Sequence, residues 1–200
     1  MSKSKFEVKN KRNEHQVWRG YYPGSGFAFA ETVDGWSYEV DHEVLFGHRL
    51  PDPVPRLTVG KLSRGELPDT LAMAGSGILV SSRLSAVLEW GAGQHIQFIP
   101  AAIKRVRDER YSLANLLSLV PCLDRERSDF DTFDAPPHAI RTMRKMVLAP
   151  ILPEAPAIFH MREMPGVILV RDDLREAMCE ASSSAGEFLP VSSFRRGLTG

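Results

Sequence analysis

The chain has 200 residues, of which 43% are hydrophobic and 25% are charged, and 25 Lys+Arg balance 25 Asp+Glu to a formal net charge of zero. A chain of this length can bury roughly 70% of its unfolded surface, so it needs no metal or disulfide to stabilise a fold. The lack of a basic excess argues against a general nucleic-acid-binding protein, and no apolar run reaches the ~18 residues of a membrane span.

The N-terminal stretch MSKSKFEVKNKR is basic, but no apolar run of a secretory signal follows it. Residues 1–14 are therefore predicted to be a flexible N-terminus. The two cysteines, Cys122 and Cys179, are fewer than a secreted disulfide scaffold usually carries. We therefore expect two buried free thiols and a cytoplasmic protein.

Residues 15–69 are predicted to be a β-rich N-terminal section. The segment HQVWRGYY, which begins at residue 15, predicts a strand. FAFAET and WSYEVDHEV predict two further strands in a hairpin around Asp34-Gly35. LTVGKL, residues 57–62, predicts another strand. Residues 70–200 are predicted to form an α+β core.

An internal repeat marks this core. Residues 78–100 (ILVSSRLSAVLEWGAGQHIQFIP) and 168–190 (ILVRDDLREAMCEASSSAGEFLP) align without a gap and share six identical positions. In each copy ILV predicts a buried strand, Ser82 or Asp172 a helix N-cap, and the following apolar stripe a short amphipathic helix. Gly- or Ser-rich residues end the helix, and a second strand follows and ends at proline.

The repeat leaves two interpretations open. The copies enclose a two-fold binding cleft, or one strand–helix–strand module is used twice to build a single core. In both cases we predict an α+β fold, which is a single domain with a mixed or antiparallel sheet, short helices and two such modules.

Between the copies, YSLANLLSLV (111–120) predicts one long strand and IRTMRKMVL (140–148) a partly basic strand. The segment between them is acidic. Its candidate partner-binding residues are Asp124, Glu126, Asp129, Asp131 and Asp134. A calcium loop requires a glycine at its tight turn, which is missing here, so no metal is predicted. A solvated loop and a surface for a basic partner both remain open.

Catalytic motifs are missing from the sequence. There is no Gly-x-x-x-x-Gly-Lys-Ser/Thr phosphate loop and no Gly-x-Ser-x-Gly nucleophile elbow. His42 and His48 are six residues apart, which fits no helical metal pair. No catalytic residue and no cofactor is predicted, which favours a binding protein over an enzyme.

Two segments resemble a known family. YSLANLLSLVPCLDRERSDF, with Tyr111-x-Leu-x-Asn115 and Asp124-x-x-x-Ser128, resembles the central motif of the type-eleven immunity proteins of bacterial polymorphic toxin systems. AIFHMREMPGVILVRDDLREAM resembles their closing pattern, where a glycine is expected before a final apolar strand, and here Gly186 precedes Glu187-Phe188-Leu189. The resemblance covers residues 70–190.

The resemblance implies a cytoplasmic, non-enzymatic protein that binds and neutralises a cognate toxin and so protects the producing cell and its siblings. It also implies that Tyr111, Asn115, Asp124 and Ser128 serve the fold. No nucleic-acid or membrane partner is expected. Two other functions stay open. An adaptor of a secretion system binds its partner without inhibiting it, and a small enzyme with a dispersed site needs Cys122 or a histidine beside a carboxylate.

Overall fold

The computed structural model describes residues 14–19, 30–62, 67–73, 77–104, 111–136 and 139–196. Strands are numbered in chain order. Within the described residues the helices are α1 (Tyr38–Leu45), α2 (Ser82–Ala92) and α3 (Asp172–Ala181). The strands of the smaller sheet are β1 (His15–Arg19), β8 (Leu119–Val120), β11 (Ile158–Met161), β12 (Met164–Arg171) and β13 (Glu187–Pro190). The strands of the larger sheet are β2 (Ala30–Asp34), β3 (Leu57–Leu62), β4 (Thr70–Ala72), β5 (Ile78–Ser81), β6 (Ile96–Ile103) and β7 (Tyr111–Leu116).

Both sheets are mixed. The larger one has the order β2-β3-β6-β7-β5-β4, in which only the β3–β6 pair is parallel. The smaller one has the order β13-β1-β12-β11-β8, in which only the β11–β8 pair is parallel. A separate two-stranded ribbon consists of β9 (Asp129–Thr132) and β10 (Ile140–Lys145). The predicted α+β domain is confirmed, with its strands divided between two sheets.

The repeat of the sequence is a repeat of the structure. The first module is β5-α2-β6, with β7 between its two strands, and the second is β12-α3-β13, with β1 between its two strands. Residues of the flanking strands that are 90 apart in the sequence have matching cross-strand positions. Leu79 and Ile99 both pair with Leu113 of β7, and Leu169 and Leu189 both pair with Val17 of β1. The equivalence extends to an outer strand, because β4 pairs with β5 as β11 pairs with β12.

The two modules share one core. Alternate side chains of each ILV strand point to opposite faces of the sheet, as strand geometry requires. Ile78 and Ile168 belong to a central cluster with Leu84 of α2 and Leu174 of α3, so both helices lie between the sheets. Burying each such side chain contributes roughly 1.5–3 kcal/mol. The interpretation of one module used twice to build a core is therefore the correct one.

A polar cluster also joins the modules. Asp69, just before β4, accepts hydrogen bonds from Ser81 Oγ and, at 2.5 Å, from Ser182 Oγ, which follows α3. Ser184 Oγ accepts from the Asp69 backbone N–H at 2.8 Å. Burial raises the pKa of the Asp69 carboxyl, but the hydrogen bonds from Ser182 and Ser81 outweigh it and leave the pKa below its ordinary value.

Two outer layers cover the remaining sheet faces. On the larger sheet, Val44 of α1 is buried in a cluster with Leu79 and Leu113. On the smaller sheet, Met143 of the ribbon is buried in a cluster with Leu169. The layer order is therefore α1, larger sheet, the α2–α3 pair, smaller sheet, ribbon, and it places α1 and the ribbon on opposite outer faces.

The predicted strand WSYEVDHEV is wrong, since most of it forms α1. The side chain of Ser37 caps the helix by accepting from the backbone N–H of Val40 at 3.3 Å. Val40 and Val44 fit the alternation of a strand and also the i, i+4 spacing of a helix. The cap and the acidic first turn, with Glu39 and Asp41, favour the helix.

Other boundaries also differ from the prediction. The N-caps are Ser81 and Arg171, one residue before the predicted Ser82 and Asp172, which begin the helices. β6 does not end at Pro100 but continues to Ile103, and its pairing with β3 starts only at Ala101. The predicted long strand 111–120 is interrupted after Leu116. The predictions for residues 1–13 and 20–29 lie outside the described residues.

Candidate partner-binding surface

The predicted acidic segment lies on the ribbon and on the turn that precedes it. On β9, Asp129 and Asp131 flank Arg144 of β10. Arg144 Nη2 donates to Asp129 Oδ1 at 2.6 Å and Nη1 donates to Asp131 Oδ2 at 2.5 Å. These hydrogen bonds hold the pKa values of both carboxyls below their usual range and raise that of the guanidinium. Asp129 and Asp131 are therefore already paired through Arg144, and Asp124 forms a third ion pair, with Arg127 Nη1 at 3.7 Å.

The other three candidates do not share one environment. Asp124 Oδ1 accepts from the backbone N–H of Arg127 at 3.0 Å, so its side chain organises the turn. Glu126 and Asp134 are exposed, and neither forms an ion pair with any other described residue. The structure thus brings Asp129 and Asp131 together around Arg144 and leaves two carboxylates fully available.

Charge on the ribbon and its turn is balanced. Residues 124–145 contain the five acidic candidates and also five basic residues, so their formal charges cancel. The basic residues are Arg125, Arg127, Arg141, Arg144 and Lys145. One exposed aromatic ring, Phe133 at 47% exposure, lies beside these charges. The ribbon is therefore a polar surface of mixed sign.

The four motif residues of the resemblance hold loops in place. Tyr111 Oη donates to the Pro68 carbonyl at 2.7 Å and Asn115 Nδ2 donates to the His48 carbonyl at 2.9 Å. Ser128 Oγ exchanges two hydrogen bonds with the backbone of Val147, at 3.0 and 3.2 Å. With Asp124 in its turn, all four serve the fold, as the resemblance implies.

The thiols and the buried histidine are not arranged for catalysis. Burial, together with the nearby Glu163 carboxylate, raises the pKa of Cys122 to about 12, the reverse of what an activated thiol needs. Cys179 is exposed, contrary to the prediction that both thiols are buried. Burial lowers the pKa of His160 to about 4, so this ring is neutral at pH 7.

The described residues contain no group of three or more His, Cys, Asp or Glu side chains placed to hold a metal ion. Nor does any helix within the described ranges combine the length and the apolar character that crossing a membrane requires.

An open groove of about 660 Å³ lies where the end of β13 meets the segment that follows β10. Leu148, Ile151 and Val191 are among its apolar lining residues, and Glu14 and Gln16 are among the polar ones. Gln16 Nε2 already donates to Asp172 Oδ1 at 3.1 Å. The groove is mainly apolar and contains no cluster of reactive groups.

The outward side of α1 is a surface that the sequence prediction missed. Tyr38, His42 and Phe46 form a ladder of rings, with centroids 6.3 Å apart between the first two and 4.6 Å apart between the last two. Tyr38 is 80% exposed and Phe46 is 38% exposed. The missed signal is their i, i+4, i+8 spacing. It puts the three side chains on one face of a strand as well as of a helix, but only a helix brings them into ring contact, since residues four apart in a strand are about 13 Å apart.

The comparison with known families agrees with the motif resemblance. A family model described as "Immunity protein family (Imm11)" matches residues 5–193. No curated protein matches the chain. The match spans both modules, the ribbon and α1, and it includes the four motif residues whose side chains hold the loops. On this evidence, the chain belongs to the Imm11 immunity protein family.

Proposed function

We propose that this protein binds and neutralises a cognate toxin of a bacterial polymorphic toxin system. The observation that carries the proposal is the family match over residues 5–193. In this role the protein acts in the cytoplasm during bacterial competition and protects the producing cell and its siblings. It acts by association alone, without catalysis of its own.

The chemistry of the described residues supports association over catalysis. Cys122 is buried and its pKa is raised to about 12, and His160 is buried and neutral. Large aromatic rings are exposed on α1 and beside the ribbon, and two carboxylates without an ion pair to another described residue, Glu126 and Asp134, are exposed on the ribbon side. Aromatic side chains that lose water on binding commonly dominate the affinity of protein interfaces.

Growth rescue tests the function. The toxin gene adjacent to this one is induced in a bacterial host, with and without the immunity protein, and the two proteins are then co-purified. The proposal predicts restored growth together with a stable complex. Continued growth arrest with both proteins expressed and soluble would refute neutralisation. A stable complex without restored growth would instead favour a non-inhibitory adaptor.

The five acidic candidates remain a proposed contact for a basic region of the toxin. Glu126 and Asp134 give the clearest test, because reversing their charge breaks no ion pair with another described residue. The double variant Glu126→Lys/Asp134→Lys is expected to weaken toxin binding. Glu154→Lys, at another exposed position, is the matched control. Equal affinities for wild type, variant and control would exclude this contact.

A further inference from the structure

The aromatic ladder of α1, defined as Tyr38, His42 and Phe46, faces away from the core. The opposite side of the helix is its buried side, where Val44 is 1% exposed and Val40 is half-buried against the outer cluster of the larger sheet. Large exposed rings are costly to leave in water and are enriched at the centres of protein interfaces. The three rings of the ladder lie in one row on the outside of the helix, so packing of the core does not account for their position.

Negative charge is concentrated in the same part of the chain. From residue 20 to residue 48 there is no lysine or arginine. The segment contains five carboxylates, three of them on α1. These three are Glu39, Asp41, which accepts from Trp36 Nε1 at 3.1 Å, and Glu43, which lies 2.9 Å from His48 Nδ1. Lys104 pairs with Asp34 at 2.8 Å, but it comes from outside the segment. The ribbon, by contrast, has no net charge, so in a neutral protein this segment is the stronger attraction for a basic partner.

The ladder is held in place before any partner arrives. Ser37 caps the start of α1. After its end, a Cβ on Gly47 would lie 2.6 Å from Leu119 Cδ1, so the chain that follows the helix packs closely against Leu119 of β8. Beyond the helix, Asn115 and Gln97 hold the backbone of His48 and Leu50 at 2.9–3.0 Å. Binding through a pre-ordered surface loses little conformational entropy.

We propose that the aromatic ladder and the α1 carboxylates Glu39, Asp41 and Glu43 dock the toxin, through a toxin surface that is basic and carries arginine or lysine side chains. Such cations pair with the carboxylates. They also lie over the faces of aromatic rings, because the quadrupole of each ring attracts a positive charge. A nucleic acid is the wrong occupant, because its phosphates would be repelled by the same carboxylates. This inference rests on the proposed function and names the face that performs it.

The test uses the full-length protein and the purified toxin encoded beside its gene. Affinity and association rate are measured for wild type, Tyr38→Ala and Phe46→Ala, with Trp90→Ala as the matched control. Trp90 has the same 80% exposure as Tyr38 but lies on α2. A second pair compares Glu39→Gln with Glu154→Gln, which removes one exposed charge from α1 or from the segment between β10 and β11. Each measurement is made at ~0.05 M and ~0.3 M salt, where screening of exposed charges differs strongly.

We expect Tyr38→Ala to weaken binding by at least ~10-fold, and Trp90→Ala by much less. Glu39→Gln should slow association and reduce its salt dependence, whereas Glu154→Gln should not. If wild type binds and protects but Tyr38→Ala matches Trp90→Ala, the docking face is wrong and the proposed function survives. If wild type forms no complex with the toxin, both fail together. Because Tyr38 makes little contact with the core, this variant stays interpretable even if Phe46→Ala unfolds.

Discussion

Among the described glycines, Gly186 is the one where an added methyl group meets both a left-handed backbone and close contacts with a backbone carbonyl and a buried ring, so we expect its replacement to damage the fold strongly. It joins α3 to β13 with φ +108, and a Cβ there would lie 2.4 Å from the carbonyl oxygen of Arg19 and 2.6 Å from Trp18 Nε1. One obstacle is backbone and the other is a buried indole, whose N–H donates to the Ala185 carbonyl at 2.8 Å. Neither can move without disturbing β1, the central strand of the second module.

Two glycines provide graded controls for Gly186→Ala. At Gly93 the φ of +52 also disfavours a side chain, but nothing lies within 4 Å of the added Cβ. At Gly166 the φ is ordinary and the nearest atom, Arg196 Nη1, is 3.9 Å away. The series therefore separates backbone strain from steric contact.

The expected costs follow from this geometry. Gly166→Ala should change the free energy of unfolding by no more than ~0.5 kcal/mol. Gly93→Ala should cost about 1–3 kcal/mol from backbone strain alone. Gly186→Ala adds an overpacking cost of about 1–3 kcal/mol to a similar strain, so we expect about 2–6 kcal/mol in total.

Denaturant unfolding of the three variants measures these differences, with fluorescence and circular dichroism as paired probes of a two-state transition. The buried Trp18 of β1 contributes to this fluorescence together with Trp36 and Trp90. A Gly186→Ala protein no less stable than Gly93→Ala would show that the close contacts at Gly186 carry no cost. The account of how β13 joins β1 would then be wrong.

Three further predictions follow from individual side chains. A thiol reagent should titrate one cysteine, Cys179, in the native protein and a second, Cys122, only after unfolding, because only the former is exposed; rapid native reaction of both would contradict the burial. His160 has a native pKa of about 4 against an ordinary 6.5, so the unfolded chain binds a proton at this residue before the native protein does. The free energy of unfolding should therefore fall as the pH drops from 6.5 towards 4. In His160→Gln this part of the pH dependence should disappear from the unfolding curves. Replacing Arg144 by Met should move the NMR-observed titration of the two β9 aspartates back up towards the ordinary pKa of 3.8, and an unchanged titration would exclude the ion pairs.

The local sequence pattern was sufficient to predict the two modules. An ILV run, an amphipathic stripe and a glycine- or serine-rich stop together fit a strand followed by a short helix and fit no other arrangement well. It was insufficient for α1, where Val40 and Val44 satisfy both a period of two and a spacing of four. Only the cap at Ser37 and the packing of Val44 on the larger sheet decide between them.

The prediction for the acidic segment considered only the residues of that segment, although two of its aspartates pair with an arginine of the next strand. Arg144 pairs with both Asp129 and Asp131 from a strand that begins eight residues after β9 ends, and the sequence gives no direct sign of that register. In the same way, nothing near His15 indicates that β1 lies between two strands that are more than 145 residues further along the chain. Strand pairing over such separations depends on the complete core.

The place of β1 has a consequence for how the protein is made. In the first module the central strand β7 follows its neighbours directly, so residues 70–116 can form their four strands and helix as soon as they are synthesised. In the second module the central strand is at the other end of the chain and must wait until β13 has been made. The second module therefore has the order of a circular permutant of the first. During translation β1 stays without its two neighbours until β12 and β13 have been made, and a chain that stops before residue 187 has only one complete module.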